Sequence, residues 1–217
     1  MNLVLLGLPG VGKGTQASLL EKKYNIPHVS TGDMFRQAIN NETELGKKAK
    51  EYLDSGDLVP DEITIGIVEE RLSDSDCDEG FILDGFPRTI HQAEALDEML
   101  SDMNQELDMV VFMALEEEEL ITRLTGRRVC PNCGANYHVE YNPPAQKGIC
   151  DECGSELIQR NDDQEETVKK RLQVNKEKTE KLKSYYKSQE LLVELDAAGN
   201  VEEVNQRFVE LLEEKAK

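Results

Sequence analysis

The stretch Gly7-Leu8-Pro9-Gly10-Val11-Gly12-Lys13-Gly14-Thr15 follows directly on the apolar run Asn2-Leu3-Val4-Leu5-Leu6, and it constrains the fold more than any other part of the chain. A buried strand that breaks into a glycine-rich turn and continues as a helix is a phosphate cradle. Glycines let the backbone wrap closely enough for its N–H groups to point at phosphate oxygens. The helix expected over 13–24 adds the positive end of its dipole. Lys13 supplies a mobile cation for the outer phosphates, and the spacing Gly7-x4-Gly12-Lys13 fits the P-loop of nucleoside triphosphate binders. One residue departs from the commonest pattern. Gly14 stands where Ser or Thr usually helps to hold magnesium, and the hydroxyl comes one place later, in Thr15.

A chain of 217 residues is long enough for one good core with modest insertions. It carries 44 acidic against 25 basic residues, a net charge of −19. Such a field repels polyanions, so no nucleic-acid partner is expected. An anionic nucleotide must then be met by a local concentration of cations, which makes the arginines the residues to follow. No apolar run approaches the ~20 residues that span a bilayer. The N-terminal segment lacks the basic region and cleavage site of a signal peptide. A cytoplasmic location with no membrane partner is expected.

Strands are predicted near 2–7, 26–30, 80–84, 108–114 and 191–195, alternating with helical patterns. That alternation argues for an α/β fold of the P-loop type: a five-stranded parallel sheet with helices on both faces. Val201, Val204, Phe208, Leu211 and Leu212 recur at helical spacing, so an amphipathic C-terminal helix is predicted over 201–215. Two regions break the rhythm. One is a polar helical stretch over 31–60, which opens at Ser30-Thr31-Gly32-Asp33 like a Ser-capped helix N-terminus. The other spans 126–163.

That second region holds Cys130-Pro131-Asn132-Cys133 and Cys150-Asp151-Glu152-Cys153. Two Cys-x-x-Cys knuckles at this separation are a strong zinc signature, because a two-residue gap lets both thiolates of a turn point inward. Disulfides are a poor alternative in a reducing compartment. With Cys130, Cys133, Cys150 and Cys153 all ligating, no coordination position is left for water, so the zinc is expected to be structural. The segment carries four cations against six acids, the wrong sign for a nucleic-acid-gripping zinc ribbon. A small β-rich lid stapled by metal in place of a core is the better reading. Cys77 reads as a bystander.

Asp84 closes the predicted strand Phe81-Ile82-Leu83, where a magnesium partner belongs beside a P-loop. Arg123 and Arg127 precede the cysteine-bearing segment and Arg160 follows its core. A lid folding over the P-loop would bring these guanidinium groups to the phosphates, whose spread charge they suit. If the acceptor is itself a phosphate, the protein need supply no general base; it must neutralise two anions and exclude water.

Gly-x-Pro-Gly-x-Gly-Lys-Gly-Thr at the N-terminus, Ser-Thr-Gly-Asp-Met-Phe-Arg at 30–36, Leu-Asp-Gly-Phe-Pro-Arg-Thr at 83–89 and Gly-Arg-Arg at 126–128 resemble the adenylate kinase family, in its bacterial form with a long zinc-binding lid. In that family glycine after the lysine is usual. The resemblance implies a monomeric, Mg2+-dependent enzyme running ATP + AMP = 2 ADP. It implies a core over 1–29, 60–125 and 164–217, an AMP-binding segment over 30–59, and a lid over 126–163. AMP would meet Thr31, Arg36, Asp57, Leu58, Val59, Gly85, Phe86, Pro87, Arg88 and Gln92. ATP would meet Gly10, Val11, Gly12, Lys13, Gly14, Thr15, Arg123, Arg127, the backbone of Asn136 and Tyr137, and the turn at Gly199. Arg160 and Arg171 would bridge the two phosphate groups, with Lys13, Arg88 and Arg127 sharing transition-state charge. Asp84 would hold magnesium through water, and Asp162 and Asp163 would orient the arginines.

Three other readings are weaker. A GTPase switch needs Asp-x-x-Gly at a strand end and Asn-Lys-x-Asp for guanine, whereas the chain has Asp84-Gly85-Phe86-Pro87 and Asn175-Lys176-Glu177-Lys178. A nucleic-acid-binding ribbon fails on charge. A UMP/CMP kinase differs only in the acceptor base, which an assay decides.

Overall fold

The computed structural model describes residues 1–215. Five parallel strands form the central sheet: β1 (Asn2–Leu6), β2 (His28–Ser30), β3 (Phe81–Asp84), β4 (Met109–Ala114) and, after the lid, β7 (Leu192–Asp196), in the order β2-β3-β1-β4-β7. The expected strands are all present, four of them shorter by one or two residues at one end and the last shifted on by one residue. The helices are α1 (Lys13–Tyr24), α2 (Thr31–Asn40), α3 (Glu44–Ser55), α4 (Asp61–Leu72), α5 (Ile90–Asp102), α6 (Glu117–Thr125), α7 (Glu165–Ser188) and α8 (Val201–Lys215).

Side chains alternate across the sheet. Leu3 and Leu5 of β1 join Ala17, Leu20, Leu120, Leu172 and Phe208 in the core on one face. Val4 and Leu6 join Leu72, Phe86, Leu96, Leu182 and Tyr186 on the other. Both faces are covered by helices, which is why β1 is buried at every position, and apolar from Leu3 to Leu6, and not only at alternate ones. Each such leucine contributes about 1.5–3 kcal/mol by leaving water.

The polar stretch over 31–60 is two helices, not one. α2 starts on Ser30, whose Oγ accepts the Asp33 N–H at 3.3 Å. Thr43 caps α3 in the same way through Gly46 N–H at 3.0 Å, and Gly56 ends it at φ +77°. The break at 41–43 turns the pair into a helical hairpin with its own small core of Phe35, Ala49 and Val59.

The lid contains an antiparallel pair, β5 (Arg127–Val129) and β6 (Asn136–His138), extended by bridges Val129–Ile158 and Ile149–Glu156. Its buried apolar cluster comprises Cys130, Tyr137, Cys150 and Leu157. β1 is central, flanked by β3 and β4, and the loop at its C-terminal end lies where neighbouring connections diverge to opposite sides of the sheet. Open α/β sheets bind ligands at that position.

Candidate active site

The glycine-rich loop leaves β1 and enters α1 through Gly12 (φ +103°), which caps the helix with no side chain to occupy its first amides. At Gly10 (φ +89°) a Cβ would lie 2.9 Å from the Leu120 carbonyl oxygen and from Leu124 Cγ, so packing against α6 demands glycine as much as the conformation does. Lys13 Nζ donates to the carbonyls of Gly7 (2.8 Å) and Leu8 (3.1 Å). Burial pushes its ammonium down to about 8. Asp84 opposes that shift, and the Arg88, Arg171 and Arg127 guanidinium groups reinforce it.

Asp84 stands at the end of β3, in register with Leu5 of β1. Burial by itself would raise its carboxyl, but the His28 imidazole and then the Lys13 ammonium hold it below the usual range. Gly14 has a structural reason here: a Cβ at that position would lie 3.3 Å from Asp84 Oδ2. The carboxylate occupies space that a Ser or Thr side chain would crowd.

A cleft open to solvent lies between α2, α3 and the ends of β3 and α7. Thr31, Arg36, Asp57, Leu58, Val59, Gly85, Arg88, Gln92 and Arg171 line it, together with Phe35, Asp162 and Asn175. Thr31 Oγ1 and Arg88 Nε both donate to the Gly85 carbonyl, at 3.0 and 2.8 Å. Gln92 is buried. Its Oε1 accepts the Arg88 backbone N–H at 2.7 Å and its Nε2 donates to Asp61 Oδ1 at 2.7 Å. Asp61, which the sequence does not flag, also accepts from Thr89 Oγ1 at 2.7 Å. Phe86 and Pro87 stand behind this wall: Phe86 is fully buried in the core and Pro87 follows a cis peptide bond.

Five arginines come from separate segments. Arg127 holds Asp163 in a two-pronged contact, and Arg171 Nη1 reaches Asp163 Oδ1 at 3.2 Å and Asp162 Oδ2 at 2.9 Å. Arg160 Nη2 lies 3.6 Å from Asp33 Oδ1, and Arg36 Nη2 donates to that oxygen at 2.6 Å. Burial would raise Asp33's carboxyl, yet Arg36 and Arg160 hold it at about 2. Burial pushes Arg88 down to about 10 and Arg160 to about 9, with neighbouring guanidinium groups adding to both; each stays charged at neutral pH. Arg160 Nε is buried and has no hydrogen-bond partner among the described residues. A cluster of mutually repelling cations with an unpaired donor is a site for anions.

Arg123 spans the loop and the turn before α8. It donates to the carbonyls of Val11 (3.4 Å), Ala197 (3.3 Å) and Gly199 (3.3 Å), and is braced by Glu119 at 2.6 Å. The 199 turn and the phosphate loop are thus joined by one guanidinium. Asn136 and Tyr137 lie on the lid hairpin; Asn136 is exposed and the Tyr137 ring faces the cysteines. Thr15 is exposed on the first turn of α1.

The four cysteine sulfurs lie within 4.8 Å of one another, with Cys130–Cys153 at 3.4 Å and Cys133–Cys150 at 3.5 Å. A disulfide needs about 2 Å. A tetrahedron of thiolates about a zinc ion has edges of about 3.8 Å, so the donor set fits such a metal. Gln159 Nε2, also unflagged by the sequence, donates to the carbonyls of Thr125 (3.0 Å) and Asp163 (3.1 Å), fastening the two ends of the lid together.

Guanidinium groups gathered from separate elements around one phosphate cradle suit the movement of a phosphoryl group between anions. The molecule is a P-loop phosphotransferase. The family model for adenylate kinase matches residues 5–191. An adenylate kinase of Oceanobacillus iheyensis is 58% identical over 215 residues, covering 99% of this chain and all of the relative. One from a Geobacillus species is 56% identical and one from Archaeoglobus fulgidus 55%, each with 98% of both chains covered. The chain belongs to the adenylate kinase family and is a nucleoside monophosphate kinase.

Proposed function

We propose that the chain transfers the terminal phosphoryl group of MgATP to AMP, reversibly, giving two ADP. An oxygen of the AMP phosphate forms the new bond to the γ-phosphorus. The bond from that phosphorus to the β–γ bridging oxygen breaks, and the electron pair leaves with ADP. No proton need move in the transfer, so the chain's task is electrostatic.

Gly10 to Thr15 cradle the ATP phosphates, Arg123 and the Gly199 turn flank the adenine side, and the lid backbone at Asn136 and Tyr137 covers it. Thr31, Arg36, Asp57, Leu58, Val59, Gly85, Phe86, Pro87, Arg88 and Gln92 hold AMP. Arg127, Arg160 and Arg171 stand between the two nucleotides, and Lys13 and Arg88 share the charge that develops. The observation that carries this reading is the cleft lined by Arg36, Arg88 and Arg171, in a chain whose Arg160 has a buried Nε without a partner among the described residues.

Asp84, whose depressed carboxyl keeps a negative charge available, would hold magnesium through water. Bound there, it would neutralise and orient phosphate oxygens. Zinc in the cysteine cluster is structural. The units 30–59 and 126–163 close on a core of 1–29, 60–125 and 164–217. The enzyme works as a cytoplasmic monomer: its acidic excess keeps like copies apart, and no helix among the described residues is long and apolar enough to cross a membrane.

Incubation with MgATP and AMP, UMP, CMP or GMP in turn, with nucleoside diphosphate formation as the readout, tests the reading. AMP is expected to be preferred by about 100-fold or more in kcat/KM, because unmatched polar groups in the base site penalise other bases. Comparable turnover of UMP or CMP would overturn it.

A further inference from the structure

Asp84 has a neighbour that the proposed chemistry does not yet use. His28 lies on β2, the edge strand beside β3, and its Nε2 is 3.5 Å from Asp84 Oδ2. The two side chains are only 12% and 14% exposed. At 3.5 Å the contact falls just short of a hydrogen bond, and His28 Nε2 is buried with no other partner among the described residues. An N–H buried without an acceptor costs about 1–3 kcal/mol, so a shift of a few tenths of an ångström toward Asp84 is favoured. The His28 backbone is anchored where it stands: its N–H donates to Glu21 Oε1 of α1 at 3.2 Å.

The same oxygen lies 3.3 Å from where a Cβ of Gly14 would stand, so no side chain at that position steers the carboxylate. Lys13 is close enough for its ammonium to attract Asp84. A carboxylate free to turn would pair directly with that ammonium and take it from the phosphates.

We propose that His28 is a positioning residue. Its Nε2–H holds Asp84 Oδ2, keeps the carboxylate from closing onto Lys13, and leaves Oδ1 for the water shell of the divalent cation that accompanies the nucleotide. The role rests on the reading of Asp84 as magnesium's partner. Losing such a supporting contact typically weakens metal affinity by 10–100-fold.

The test uses the full chain with ADP and Mn2+ as the probe, free Mn2+ being counted by electron paramagnetic resonance. His28→Leu keeps the bulk and loses the donor; His28→Gln keeps an N–H donor of similar reach. H28L is expected to weaken Mn2+ retention in the enzyme–nucleotide complex about 10-fold and to raise the half-saturating Mg2+ in turnover similarly, with the KM for AMP unchanged; H28Q stays within about 2-fold of the parent. Should H28L not fold, His28→Asn, whose amide falls short of Asp84, takes its place with the same expectation. The role is overturned if the donorless variant retains Mn2+ as the parent does, or if H28Q is as weak as H28L. Asp84→Asn separates the two readings. If D84N loses Mn2+ and the donorless variant does not, the role of His28 alone fails. If D84N keeps Mn2+, the assignment of Asp84 fails and the role of His28 goes with it.

Discussion

Arg127 and Asp163 are joined by two parallel hydrogen bonds, Nε to Oδ2 at 2.8 Å and Nη2 to Oδ1 at 2.6 Å, with Asp163 wholly buried. The pair connects the first strand of the lid to its last turn, and Arg171 of α7 shares the same carboxylate. Removing one partner of a buried pair costs about 3–5 kcal/mol, because the other charge is left uncompensated. Asp163→Ala strands two guanidinium groups. At about 2–4 °C per kcal/mol for a chain of this size, calorimetry is expected to show Tm falling by roughly 6–20 °C. A saturating bisubstrate analogue narrows that gap by supplying phosphate to the freed arginines. A fall of less than about 2 °C would mean that the pair contributes little to the fold.

Lys13 makes a prediction about pH. Its ammonium is pushed from 10.5 to about 8 in the folded chain. Below 8 both states are protonated and the folded state bears the full cost of burying the charge. Between 8 and 10.5 the unfolded chain binds more protons than the folded one, so Lys13's contribution to stability rises with pH across that window. Phosphate beside Lys13 favours the charged form and draws a proton in. Titration calorimetry of ADP at about pH 8.5, in two buffers of different ionisation enthalpy, is expected to show net proton uptake that Lys13→Met reduces. Equal uptake in both proteins would place the titrating group elsewhere.

The lid's buried apolar cluster has four members, two of them cysteines, too few to hold a fold without help. About one zinc per chain is expected by atomic absorption. Stripping it, or Cys133→Ser, should lower Tm by about 5 °C or more. Turnover at low temperature should survive in part, since no coordination position is open for chemistry. Complete loss of turnover with the fold intact would give the metal a larger part than bracing.

Asp61 bears on base selection. By accepting from both Gln92 Nε2 and Thr89 Oγ1, it fixes the orientation of a buried amide that also accepts from Arg88 N–H. Asp61→Ala frees that amide to rotate. The expected result is a KM for AMP raised about 10-fold with kcat retained, and weaker discrimination against UMP and CMP. An unchanged KM for AMP would show that Gln92 is held well enough without Asp61.

Features of the site that lie within a few residues of one another were legible in the chain. The phosphate loop, both cysteine knuckles, the Asp84 strand end and the Ser30 cap each encode their geometry in a run of under ten residues. Gly14 was readable as unusual, but not its reason, because Asp84 is seventy residues away. Gln92 was flagged, while the Asp61 that orients it was not: an acid at the start of a helix looks like ordinary dipole compensation. Gln159 and His28 carried no signal, being single polar residues whose partners come from other elements.

The sequence by itself determined the class of fold and the chemistry of each piece, since strand, turn, helix and metal knuckle obey short spacings that hydrogen bonding and side-chain periodicity impose. Only the tertiary structure decided which pieces meet. Arg36, Arg88, Arg127, Arg160 and Arg171 come from helices, a strand and loops, and nothing in their separations along the chain specifies a common centre. They converge because packing on the two faces of the sheet brings α2, α7 and the lid over the C-terminal ends of β1 and β3, where the carboxylates at 33, 162 and 163 offset enough of their repulsion to keep them together.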